Sequence, residues 1–171
     1  MHHCFLQGVK QFYVVVESEE GKIDTLCSLR GIIGARGAVV IIYVNTRLTV
    51  DWLFEKMTSM DFSVSRVHED MEQKLRDDTM KEFRSGSHLI LIATESFARG
   101  IQVAQVSLTI IYNLPSNEGN YIASLSRPGR FGRTGVAVNL VTVEDLPTLK
   151  ELEKYSHTSI EEMPANVADL I

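Results

Sequence analysis

Arg127, Arg130 and Arg133 stand three residues apart among Gly129, Gly132 and Gly135, directly before the apolar run Val136 to Val143. A guanidinium is a planar, permanently charged fork that matches phosphate oxygens, and glycine lets the backbone come close to a ligand. A basic surface loop stapling acidic neighbours would use the same residues. Upstream, Thr94-Glu95-Ser96-Phe97-Ala98-Arg99-Gly100-Ile101 repeats the chemistry at the end of another apolar run. Two arginine-bearing loops at strand ends predict one polyanion site at an edge of a sheet.

The elements that must position such a site follow from periodicity. Apolar, β-branched runs recur at Phe12–Val16, Ala38–Val44, Ser63–Val67, Leu89–Ala93, Val106–Tyr112 and Val136–Val143. Most are continuous rather than alternating, as in strands buried on both faces. Helical spacing appears between them over 22–33, 47–60, 71–85 and 144–155, and more weakly over 117–126. Gly86 is placed to cap the third of these. The tail 156–171 reads as a packed loop. Alternating strand and helix predict a single α/β domain over 1–171, a mostly parallel sheet with helices on both faces.

In such sheets ligands bind beyond the carboxyl ends of the strands. Asn45-Thr46-Arg47, His68-Glu69-Asp70, Thr94 to Gly100, and Asn113 fall there. The chain has no GxxxxGK[ST] phosphate loop and no GxGxxG fingerprint, so it lacks the parts of a self-sufficient nucleotide hydrolase.

A net charge of −5 over 171 residues argues against nucleic-acid binding by bulk attraction and requires focused anion sites. Two cysteines, at 4 and 27, make neither a disulfide framework nor a zinc spacing. His2, His3, His88 and His157 are scattered and form no metal site. With no signal-peptide layout and no long apolar stretch, the expectation is a reduced, cytoplasmic chain away from membranes.

These segments resemble, in order, the motifs of the C-terminal RecA-like lobe of DEAD-box RNA helicases, particularly those of translation initiation. The resemblance runs from Gly8-Val9-Lys10-Gln11-Phe12-Tyr13 to Met163-Pro164-Ala165-Asn166-Val167-Ala168-Asp169-Leu170-Ile171. It implies a RecA-like three-layer sandwich that shares ATP and RNA with a first lobe absent from this sequence. That first lobe would hold the magnesium, and this lobe alone would not hydrolyse ATP. Arg127 and Arg130 match the two arginine fingers that stabilise charge on the γ-phosphate. The resemblance further implies RNA-backbone contacts at Asn45, Thr46, Asp70, Gln73, Arg76, Thr94 and Gly100. Arg76 could equally form a solvated ion pair with Asp77 or Asp78, and Thr94 could be a strand-end cap. His68 reads as a packed, hydrogen-bonded residue, and Trp52 and Phe54 as helix packing.

The departures from the family pattern lie in the cleft. ARGxD would put aspartate on the ATP ribose where this chain has Gln102, and the lost charge-assisted bond is worth about 1.5–3 kcal/mol. HGD has become His68-Glu69-Asp70. A carboxylate about 5 Å from a phosphate, at an effective dielectric of about 20, repels it by about 3 kcal/mol. HRIGRxGR has become Ala123-Ser124-Leu125-Ser126-Arg127-Pro128-Gly129-Arg130, and Pro128 restricts Arg127 to extended backbone angles. Glu95 replaces the usual aspartate. The expectation is a helicase lobe with weakened RNA and ATP contacts, monomeric, docking on a helical-repeat scaffold of translation. The alternatives are a catalytically inactive binding module or decoy on that scaffold, and a decayed paralogue.

Overall fold

The computed structural model describes residues 8–33, 38–101, 106–125 and 135–171, with Arg99 and Gly100 as backbone only. Seven strands form one sheet: β1 (Val9–Val15), β2 (Val40–Val44), β3 (Ser65–Val67), β4 (Ile90–Thr94), β5 (Leu108–Ile111), β6 (Gly135–Val141) and β7 (Ile160–Glu162). Their order is β3-β4-β2-β5-β6-β1-β7, and every paired neighbour is parallel. β2, β4, β5 and β6 are buried along their whole length, as the continuous apolar runs require.

The helices are α1 (Gly21–Ser28), α2 (Arg30–Ile33), α3 (Arg47–Ser59), α4 (Gln73–Ser85), α5 (Glu118–Leu125) and α6 (Leu146–Ser156). From β1 to β3 the chain steps one way across the sheet, and after β3 it returns. Crossovers between parallel strands share one hand, so reversing direction moves the helices to the opposite face. Accordingly Leu26, Ile33, Val50, Leu53 and Met57 join one core with Ile42, Val44, Ile92 and Ile110. Met80, Phe83, Tyr121, Leu149 and Leu152 join the other with Ile41, Tyr43, Leu91 and Ile111. The expected three-layer sandwich is present.

Four details differ from expectation. The helical stretch 22–33 is two helices, interrupted at Leu29, whose ψ of 4° leaves the helical range. Leu75, on the spacing of α4's apolar face, is 53% exposed. The stretch 144–155 opens as a 3₁₀ turn (Val143–Asp145), closed by a reciprocal Thr142–Asp145 cap, before α6 begins. The tail is not merely a loop: Ile160–Glu162 add a seventh strand beside β1, and Val167, in a 3₁₀ turn, enters the first core. Three residues are too few to show a strand period. Gly86 caps α4 at φ 84°, as the sequence suggests.

A buried polar chain ties these layers. Tyr121 Oη donates to Gln11 Oε1 (2.8 Å), and Gln11 Nε2 donates to Thr158 Oγ1 (2.7 Å). Asn139 Nδ2 donates to Phe12 O (3.0 Å) and to Tyr121 Oη (3.2 Å). Burial pushes the Tyr121 phenol far above its ordinary value, so it stays a donor. Tyr121→Phe orphans the buried Gln11 carbonyl, so the expected loss is about 1–2 kcal/mol of unfolding free energy, measured by urea denaturation.

Candidate functional site

Because the sheet is parallel, the residues that follow β3, β4, β2 and β5 emerge side by side along one edge. Asn45, Thr46, Asp70 and Thr94 are therefore neighbours in space although far apart in the chain.

Most of their polar groups are already engaged. Asn45 N donates to Asn113 Oδ1 (3.2 Å), and Asn113 Nδ2 donates to Glu19 Oε1 (2.8 Å). The other Glu19 oxygen pairs with Lys22 Nζ (2.9 Å), which is 1% exposed and donates to Tyr112 O (2.7 Å). Thr46 is the N-cap of α3, its hydroxyl accepting from Thr49 N (3.2 Å). Arg47, one residue on, pairs with Asp70 and joins the loops after β2 and β3.

His68 is packed and hydrogen-bonded, as expected. Nε2 lies 3.2 Å from Asp51 Oδ1, and Nδ1 accepts from Asp70 N (3.2 Å). That network assigns the proton to Nε2. Asp51 also accepts from Arg66 Nη1 (2.9 Å), whose guanidinium stacks 4.4 Å from the Phe54 ring centre. Phe54 thus packs against the helix face, whereas Trp52 is 44% exposed.

Thr94 does not cap the following 3₁₀ turn (Glu95–Gly100). Its hydroxyl donates to Glu69 Oε2 (3.0 Å), to which Ser96 Oγ also donates (3.3 Å). Partial burial opposes the Glu69 charge, but its own backbone amide, Thr94, Ser96 and the His68 field outweigh that. The carboxyl therefore lies below its ordinary value.

Arg76 makes no ion pair with Asp77 or Asp78. Asp78 takes Lys74, Asp77 takes Gln73 Nε2, and Arg76 donates to Gln73 Oε1 with its guanidinium 5.8 Å from the Phe97 ring centre. Its buried Nε has no partner among the described residues. Gln73 and Arg76 thus form one unit on the first turn of α4, and Gly100 closes the Glu95–Gly100 turn.

Glu95 was invisible as a structural residue in the sequence. It is buried and accepts from Ser116 N (2.9 Å), Ser116 Oγ and Asn120 Nδ2 (3.1 Å). It clamps the turn after β4 to the start of α5. The available signal was Ser116-Asn117 ahead of a helical run, an N-cap signature; Asn117 Oδ1 accepts from Asn120 N (2.8 Å). Lys22 and Asp51 were likewise missed, because a charged residue on a helical stripe reads as solvated.

Gln102, Arg127 and Arg130 lie outside the described residues. Gly135 N, at the start of β6, donates to Gly8 O (3.1 Å), just before β1. The expected single polyanion edge, in so far as it includes Arg127 and Arg130, therefore also lies outside the described residues. Ser124, one turn before, is fully buried with its hydroxyl on Asn120 O (2.8 Å).

A doubly covered, all-parallel sheet with its polar loops gathered beyond the strand ends is a RecA-like α/β domain. Residues 21–132 match the family of helicase conserved C-terminal domains, and the chain belongs to that family. It is 57% identical over 166 residues to the ATP-dependent RNA helicases eIF4A of Aspergillus clavatus and Emericella nidulans, covering 97% of this chain and 41% of each of those proteins. Among solved structures, S. cerevisiae Dbp5 bound to RNA and ADP BeF3 superposes with a TM-score of 0.89 at 30% identity, covering 99% of this chain and 46% of that one. The C-terminal domain of the DEAD-box protein Dbp5 gives 0.82 at 31% identity, covering 95% and 96%. This is a C-terminal helicase domain resembling those of eIF4A and Dbp5, which does not favour the reading as a non-catalytic decoy. The chain spans about two fifths of the length of the curated relatives it matches. Among the described residues no helix is long and apolar enough to cross a membrane.

Proposed function

We propose that this chain, residues 1–171 as one domain, is the second lobe of an ATP-dependent, DEAD-box RNA helicase of translation initiation. The observation that supports it is the alignment of Asn45, Thr46, Asp70 and Thr94 on one edge, where a nucleic-acid backbone could run across successive strand ends. Gln73, Arg76 and the Gly100 backbone extend that track. Main-chain amides, hydroxyls and an arginine are the groups that hold phosphates without reading bases.

In this reading Arg127 and Arg130 act on the γ-phosphate and Gln102 faces the ribose. Two guanidinium forks suit a triphosphate; a neutral amide at 102 holds a ribose hydroxyl less well than a carboxylate. Bound ATP supplies the phosphoanhydride bond, and magnesium belongs to the first lobe. The chain works as a cytoplasmic monomer that docks on a helical-repeat scaffold protein of translation.

The test is this chain joined behind the first lobe of an eIF4A relative, assayed for RNA-stimulated ATP hydrolysis. The expected result is activity with a raised KM for ATP, which Gln102→Asp lowers about tenfold. A folded fusion that stays inactive with Gln102→Asp and Glu69→Gly together overturns the reading.

A further inference from the structure

The loop His68–Glu69–Asp70 is pinned on both sides of Glu69. His68 is held between Asp51 and the Asp70 amide, and Asp70 is held by Arg47. Glu69 is exposed, and of the three side chains it is the one without an ion-pair or ring anchor. It reaches from the end of β3 to the end of β4 and takes the hydroxyls of both Thr94 and Ser96 on one oxygen. It forms no salt bridge with a lysine or arginine among the described residues. A carboxylate seated on two neutral hydroxyls at an exposed strand end occupies the position an external phosphate oxygen would take, since serine and threonine hydroxyls serve phosphates in the same way.

We propose that Glu69 is a built-in competitor for the RNA backbone: its carboxylate fills the Thr94–Ser96 hydroxyl pair and must swing out before a phosphate can enter. The inference rests on the reading of Thr94 as an RNA-backbone contact. Displacement breaks two hydrogen bonds at a solvent-exposed site, so Glu69 attenuates binding rather than abolishing it. The carboxyl is held below its usual range by the same donors, which keeps it charged and seated at neutral pH. The Asp70 charge beside it is paired with Arg47 and the Asp51 charge with Arg66, so of these three carboxylates Glu69 is the one with no cationic partner among the described residues.

The experiment is fluorescence polarisation of a dye-labelled single-stranded oligouridylate with the full 171-residue chain. Glu69→Gln and Glu69→Ala are expected to lower Kd about tenfold. Thr94→Ala is expected to weaken binding and to cancel the gain when combined with Glu69→Ala. If the unaltered chain binds, Thr94→Ala weakens it and the Glu69 variants leave Kd unchanged, the competitor proposal is overturned while the RNA reading stands. If no variant binds although all are folded by circular dichroism, both fall. A second measurement needs no substitution. In carbon-detected NMR of the unaltered chain, saturating oligouridylate should raise the Glu69 carboxyl pKa as the hydroxyls leave it. An unmoved titration in the bound chain overturns the proposal.

Discussion

Arg130→Ala in the two-lobe fusion is expected to lower kcat for RNA-stimulated ATP hydrolysis by about three to five orders of magnitude, with little change in KM for ATP. Arg127→Ala should behave alike. The asymmetry follows from where charge sits along the reaction. Negative charge shifts onto the transferring phosphoryl group and the leaving oxygen only as the bond breaks, so a guanidinium there is worth most in the transition state. A variant lacking it binds ATP almost as before and turns it over poorly. Lysine should not restore the rate, because a point charge cannot reproduce the planar fork. Single-turnover hydrolysis at saturating ATP and RNA measures the step directly. A KM effect with kcat preserved would mark these arginines as uniform binding groups, and no effect would return them to a structural loop. Pro128 offers an internal control: it biases Arg127 toward extended angles and leaves Arg130 untouched, so the serine-for-proline substitution should raise kcat only through Arg127.

The sheet was legible in the sequence because continuous apolar runs such as Val40–Val44 and Ile90–Thr94 need burial on both faces, and only a parallel, doubly covered sheet provides it. The helices were legible where stripes were long, as in α3 and α4, and failed at Leu75, in the first turn of α4, which is on the apolar spacing yet exposed while Met80 and Phe83 further along are buried. The seventh strand carried no period of its own. It exists because β1 would otherwise leave its outer edge bare, a tertiary fact. The partners of the candidate residues were hidden for a different reason. Whether Arg76 meets Asp77 or Gln73, and whether Thr94 meets a phosphate or Glu69, depends on side chains brought together by crossovers that sequence spacing does not encode.

Glu95 clamps the turn after β4 to the start of α5, and its loss is expected to cost both stability and turnover. Glu95→Ala removes the shared acceptor of the Ser116 amide, the Ser116 hydroxyl and the Asn120 carboxamide, all bonded to one buried carboxylate. The expected cost is about 2–4 kcal/mol of unfolding free energy, measured by urea denaturation. Glu95→Asp keeps the charge and loses one methylene of reach, so one or two of the bonds lengthen and the cost should be about 1 kcal/mol. The local signature separates this from general core damage. Amide exchange should accelerate at Ser116 and through the first turn of α5, while Tyr121, held from the other side by Gln11 and Asn139, keeps the rest of the helix seated. α5 is also the element that delivers the chain to the arginine segment, so in the fusion Glu95→Ala should reduce kcat even at temperatures where the fold is intact. Unchanged stability with lost turnover would make Glu95 a positioning residue alone. Unchanged turnover with lost stability would show that the arginines are held independently of the clamp.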